Sequence, residues 1–235
     1  MGDAQSGMVK YQLDGSIATI MMDDGKVNVL SPAMQAEIHD AFDQAESDGA
    51  VVILTGRPGK FSAGFDLNTL TAGGSDAIRM LRGGFELSSR LLTFPQPVVV
   101  ACSGHAMAMG FFLLLSGDYT LGVDGPFKLV ANEVAIGLPM PRPAIAIMRN
   151  RLTPAAFTRT AVLAQTFSPQ EAIAAGVLDR VVNEDELLAT ATEVASGLAA
   201  LDMKAHAITK RLARTPTLAA IAEGIDIEYG PAPAD

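Results

Sequence analysis

Three short segments hold the groups that could do chemistry: Lys60 to Leu67, Gly104 to Gly110, and Asn132 to Pro141. The first reads Lys-Phe-Ser-Ala-Gly-Phe-Asp-Leu and follows the apolar run Val51 to Leu54. Gly64 beside the small Ala63 lets backbone come close to a ligand, so the amide of Phe65 can point at an oxygen instead of pairing in a sheet. The second is a glycine-rich turn after the run Val98 to Cys102, opening into a helix expected over Phe111 to Ser116, whose first N–H groups lack intrahelical partners. Two such N–H groups converging on one carbonyl oxygen form an oxyanion hole, where each donor is worth about 3 to 4 kcal/mol. The third segment offers an acid, Glu133, between an expected strand Phe127 to Val130 and a proline-rich turn. Apolar neighbours raise a carboxyl pKa toward neutrality, which suits proton transfer. Taken singly, each glycine turn reads as an ordinary turn and Glu133 as a solvated strand-end residue.

The elements that must position these segments follow a β-β-α rhythm. Val9 to Leu13 and Ile17 to Met22 read as strands around an Asp14-Gly15 break, followed by a helix with Ser31 as N-cap, Pro32 at its first position, and Met34, Ile38, Ala41, Phe42 and Ala45 on one face. The unit repeats loosely: Val51 to Leu54, the first turn and a helix over Ser75 to Leu92, then Val98 to Cys102, the second turn and another helix. Tyr119 to Val123 and Phe127 to Val130 read as strands separated by Asp124-Gly125-Pro126. After Pro143 helical patterning dominates. Thr153 caps a run with Pro154 in its first turn, Ser168 and Glu171 form a capping box closed by Gly176, and Val177 to Val182 suggests an edge strand. A last helical region is expected over Glu184 to Glu223, before a tail from Gly230 that breaks up. There is no linker composition, so the expected division is a core over 1–182 and a helical region over 183–235.

Composition narrows the function. The 235 residues, 49% hydrophobic and 18% charged, are enough to bury a large core. A net charge of −9 disfavours general affinity for nucleic acid or an anionic membrane. The lone Cys102 forms no internal disulfide and reads as a small, inert core residue of a reducing compartment. The start Met-Gly-Asp-Ala-Gln-Ser-Gly lacks the features of a signal peptide and no segment reaches about 18 apolar residues, so a soluble, cytoplasmic protein is expected. His39, His105 and His206 have no metal-ligand spacing, and no nucleophile elbow or zinc helix motif is present, so no metal is expected. Gly56-Arg-Pro-Gly-Lys60 resembles a phosphate loop but fails the pattern at Leu54 and Phe61; Arg57 and Lys60 either meet an anionic ligand or are simply solvated.

From about Met8 to Tyr229 the sequence resembles the crotonase, or enoyl-CoA hydratase/isomerase, family. Phe61-Ser-Ala-Gly-Phe-Asp-Leu67, Ser103-Gly-His-Ala-Met-Ala-Met-Gly110 with Gly117-Asp118, and Asn132-Glu-Val-Ala-Ile-Gly137 carry the likeness in order and spacing. The resemblance implies an α/β spiral of β-β-α units with a C-terminal helical region that packs a homotrimer, often paired into a hexamer. It also implies an acyl-CoA substrate and no separate cofactor. Residue by residue it implies oxyanion donors at the Phe65 and Met109 amides, coenzyme A against Ala63 with Lys60 and Arg57 near it, and an acyl pocket at Met107 and Phe112. The family usually reads Gly-Gly-Gly where Met107-Ala-Met-Gly110 stands, so a narrower, Met-lined pocket is expected. Of the two glutamates that hydratases of the family use, the first aligns with Phe112 and only the second, Glu133, is matched. Single-glutamate members are typically isomerases, because one carboxylate can shuttle a proton between carbons, whereas adding water needs two proton-handling groups. Hydration by another acid, with Glu86 or Asp66 the first to consider, and acyl-CoA binding without turnover stay open. Met203, Ile208 and Leu212 are either intersubunit or internal core.

Overall fold

The structure is a computed structural model that describes residues 7–230; the first six residues and the tail after Gly230 lie outside the described residues. Its strands form two sheets. The larger has the order β1-β2-β3-β5-β7-β9, built from β1 (Val9–Asp14), β2 (Ile17–Met22), β3 (Val51–Gly56), β5 (Val98–Cys102), β7 (Tyr119–Val123) and β9 (Arg180–Val182). Only the β1–β2 pair is antiparallel. The smaller is parallel in the order β4-β6-β8, from β4 (Gly59–Ser62), β6 (Gly104–Met107) and β8 (Leu129–Val130). Each of three successive turns of the chain thus gives its first strand to the large sheet and its second to the small one. This is the expected β-β-α spiral.

The apolar runs are strands buried on both faces, as parallel strands under helices must be. Val52, Leu54, Val98 and Val100 face one cluster with α1 (Pro32–Ser47), α3 (Gly74–Thr93) and α4 (Met109–Leu115). Val51, Ile53, Val99 and Ala101 face a second cluster closed by Leu187, Ala191 and Ala195 of α8 (Leu187–Ala199). The face predicted for α1 is buried in full, and Ser31 accepts from the Met34 N–H at 3.2 Å. Around the far end, α5 (Arg142–Arg151), α6 (Pro154–Ala161) and α7 (Pro169–Ala175) follow, the last with the Ser168–Glu171 capping box and Gly176 at φ +82°. Cys102 is buried, its thiol pushed up to about 12 by desolvation.

Several boundaries differ from those read in sequence. Two segments expected as turns begin as the strands β4 and β6, whose four residues each are too few and too glycine-rich to show alternation. The expected strand Phe127 to Val130 narrows to Leu129–Val130, and Val177 to Val182 to Arg180–Val182. A short α2 (Leu67–Ala72) precedes α3, the two separated by Gly73, and both Gly73 and the first residue of α3, Gly74, have positive φ. The single C-terminal helical region is broken after α8, and Asp202 caps α9 (Met203–Tyr229) by accepting from the Ala205 N–H at 2.8 Å. Ile208 and Leu212 are exposed, so they are not internal core of this chain. Asp118 anchors α9 to the large sheet: it accepts from Val98 N at 2.7 Å and Lys210 Nζ at 2.6 Å, and its other oxygen lies 2.8 Å from Arg214 Nη1. Burial lowers the Lys210 pKa to about 8, against the pull of Asp118.

Candidate active site

The three segments singled out in sequence leave from the same end of the small parallel sheet, beyond the C-terminal ends of β4, β6 and β8. Register explains the meeting. Met107 pairs with Val130, and the Ala108 N–H donates to the Val130 carbonyl at 2.9 Å, so Met109 and Glu133 depart from neighbouring strand ends. Gly64 closes the third side: a Cβ built on it would lie 3.1 Å from Met109 N and 2.9 Å from the Met107 carbonyl oxygen. Only glycine permits that approach, and its φ of +90° makes the same demand.

The turn that presents Phe65 is held by its neighbours. Ala63 N donates to Val27 O at 3.0 Å, Gly64 N to Ser62 Oγ at 3.1 Å, and Leu30 N to Gly64 O at 2.8 Å. The Ser62 hydroxyl donates in turn to Asn28 O at 2.7 Å. Asn28 is fully buried at φ +55°, and its amide nitrogen donates to the carbonyls of Met22, Lys60 and Phe61. After these bonds the Phe65 N–H has no partner among the described residues, and neither has Met109 N–H at the first position of α4. Ala108, just before it, takes φ 49° and ψ −123°, a conformation that suits glycine and turns the Met109 amide away from a ladder.

Glu133 is buried at 8% exposure, and its Oε2 makes no hydrogen bond among the described residues. Desolvation raises its pKa to about 7, opposed only by its own backbone N–H. A carboxylate of that pKa can both take and return a proton near neutrality. The two other acids considered for this role are engaged elsewhere. Glu86 is exposed and paired with Arg82 at 2.7 Å. Asp66 caps α2, accepting from Asn68 N and the Thr69 hydroxyl, and that hydroxyl, first among its bonds, holds it in the ionised form.

Phe112 is fully buried and stacked on Phe85, and Met107 is half-buried. Ala63 and Lys60 are half-buried beside the turn, while Arg57 already meets Asp23 at 3.6 Å and the Lys26 carbonyl at 3.4 Å. Sequence reading missed Asn28, Ser62 as a bracing residue, and the aromatic pair Phe85 and Tyr229. The sequence shows only an asparagine between Val27 and Val29 and two rings far apart in the chain, neither of which marks a site.

A sequence profile described as Enoyl-CoA hydratase/isomerase matches residues 12–230. The chain belongs to the enoyl-CoA hydratase/isomerase family of enzymes. It is similar to a solved enoyl-CoA hydratase of Mycobacterium marinum, at 47% identity and TM-score 0.91 over 95% of this chain and 100% of that one. It is also similar to the human mitochondrial delta3-delta2-enoyl-CoA isomerase, at 27% identity and TM-score 0.89 over 94% and 89% of the two chains. The carnitinyl-CoA dehydratase of Proteus mirabilis is 28% identical over 213 residues, 89% of this chain and 81% of that protein. Proteins similar to this chain therefore carry hydratase, dehydratase and isomerase names. No helix among the described residues is long and apolar enough to cross a membrane.

Proposed function

We propose that this enzyme moves the double bond of a fatty enoyl-CoA from the 3- to the 2-position, with Glu133 as its proton carrier. The observation that carries the reading is that Glu133 stands as the one buried acid among the described residues, with Phe112 where the other glutamate of a hydratase would align, and with Glu86 and Asp66 both occupied by other partners.

The thioester oxygen accepts from the Phe65 and Met109 amides, Ala63 and Lys60 meet the coenzyme A portion, and Arg57 adds positive charge at its outer edge. Glu133, as carboxylate, removes a proton from C2; the C–H electron pair flows toward the carbonyl and the resulting dienolate is stabilised by the two N–H groups. The electrons then return, C4 takes the proton from Glu133, and the double bond comes to rest between C2 and C3. No cofactor is consumed, since coenzyme A enters as part of the substrate. Phe112 and Met107 give the acyl chain an apolar wall, and Phe112 supplies no carboxylate to deprotonate an attacking water. The exposed Ile208 and Leu212 support a homotrimer or hexamer formed through the C-terminal helical region.

A hydratase reading has the name of the Mycobacterium marinum relative in its favour. Assaying one preparation with a 3-enoyl-CoA and with crotonyl-CoA separates the two: isomerisation far faster than hydration is expected, and hydration at a comparable rate would overturn the assignment. Calorimetric binding of acyl-CoA with neither reaction would mark a non-catalytic binder.

A further inference from the structure

Phe85, on the buried face of α3, is the centre of an aromatic cluster. Its ring meets Phe65 edge-on at 6.3 Å, stacks on Phe112 at 6.1 Å and stacks on Tyr229 at 6.1 Å with an interplanar angle of 13°. Phe65 carries one of the two free amides, and Phe112 lies on the acyl side. Tyr229 is the last residue of α9, so the far end of the final helix returns to the site built by the first half of the chain.

That helix end is tied down from both sides. Arg82 of α3 reaches Glu86 at 2.7 Å and Asp226 at 3.2 Å, and it donates to the Gly230 carbonyl. Glu228 accepts from Arg142 N at 2.8 Å at the start of α5. Gly224 lets α9 sit against the same point, since a Cβ there would come 2.9 Å from Arg142 Cβ. Burial, then the neighbouring charges of Glu228 and Glu133, raise the Tyr229 phenol, so the ring stays neutral.

Phe85 and Phe112 have almost no exposed surface, and their rings pack against each other at 6.1 Å. An acyl chain running past Glu133 toward Phe112 therefore meets the stacked rings of Phe112, Phe85 and Tyr229, the last close enough to Glu133 to feel its charge. Phe65, Phe85 and Phe112 belong to the spiral core, whereas Tyr229 is held at a helix end by side-chain ties. We propose that Tyr229, clamped by Arg82, is the end wall of the acyl chamber and restricts the enzyme to short acyl chains. This rests on the acyl-CoA reading of the site and goes beyond it by naming the residue that sets substrate length.

The test compares parent, Tyr229→Ala, Tyr229→Phe and Arg82→Gln on 3-hexenoyl-CoA and 3-dodecenoyl-CoA. The parent prefers hexenoyl. Tyr229→Ala raises the dodecenoyl-to-hexenoyl ratio of kcat/KM on the order of tenfold, because a ring's volume is opened to methylenes. Tyr229→Phe keeps the parental ratio, and Arg82→Gln moves it in the same direction as the alanine variant by a smaller factor. A loss of rate equal for both chain lengths in Tyr229→Ala marks a purely structural role and overturns the proposal. Calorimetric Kd values for hexanoyl-CoA and dodecanoyl-CoA provide the same ratio without turnover. A preparation that turns over neither substrate but shows the tenfold shift in Kd refutes the isomerase reading while sustaining this one, and an unshifted Kd ratio refutes this one alone.

Discussion

Replacing Gly64 by alanine puts a methyl group into the contact on which both proposed oxyanion donors, the Phe65 and Met109 amides, depend. At φ +90° an L side chain is strained by about 1 to 3 kcal/mol. The new Cβ would lie 2.9 Å from Ala108 Cβ, 2.9 Å from the Met107 carbonyl oxygen and 3.1 Å from Met109 N. None of these atoms ends a flexible side chain, so the two loops must separate. Misplacing a reacting group by about 1 Å costs roughly 100-fold, and losing one oxyanion donor costs about 10² to 10³ in kcat. Gly64→Ala is therefore expected to lower kcat on a 3-enoyl-CoA by about 10² to 10³, while denaturant unfolding of the folded variant shows a loss of about 2 to 6 kcal/mol, backbone strain and overpacking together. Formation of the conjugated thioester, followed by its absorbance at saturating substrate, measures kcat. A folded variant with kcat within about threefold of the parent would show that the Phe65 and Met109 amides do not grip the reacting oxygen.

Three further outcomes are expected. Glu133 has a folded pKa of about 7 against an ordinary 4.5, so the folded state binds its proton more tightly; burying this acid costs nothing below the lower value, costs increasingly through the interval, and costs about 3 kcal/mol above the upper one. Denaturant unfolding of Glu133→Gln should therefore show a gain over the parent near pH 8 that vanishes near about pH 4, and a gain independent of pH would contradict the assigned burial. Asp118→Asn leaves Lys210 and Arg214 without their shared carboxylate and should cost about 3 to 5 kcal/mol, read from the unfolding midpoint, with a loss below 1 kcal/mol speaking against the anchor. Ala108→Gly relieves a backbone that alanine tolerates poorly and should raise stability by up to about 1 kcal/mol with kcat retained; a lower Tm would mean that the conformation is not strained.

What was legible in the sequence follows from what each element is made of. β3 and β5 are buried on both faces, so they stand out as apolar runs, and α1 and α7 announce themselves through Ser31-Pro32 and Ser168 to Glu171. β4 and β6 did not, because their pairing comes from each other and from β8, not from any pattern within four residues. The position of Glu133 beside the glycine turns was suggested by the order of motifs, but it is the Met107–Val130 register that brings these segments to one place. Tyr229 was invisible to local reading: its contact with Phe85 spans α3 and the end of α9, and depends on Arg82 and Gly224 fixing the helix. Asn28 was equally hidden, since its role is to satisfy carbonyls of β2 and β4 that the sequence does not bring together.

The proposed isomerisation depends on one buried carboxylate, Glu133, moving the proton. Single-turnover conversion of a 3-enoyl-CoA to the 2-enoyl isomer by Glu133→Gln, with the Kd for a saturated acyl-CoA measured on the same preparation, tests it most directly. The expected result is an unchanged Kd with turnover reduced by about 10² to 10⁴, the usual worth of a positioned acid–base group. Parental turnover by the glutamine variant would contradict the account.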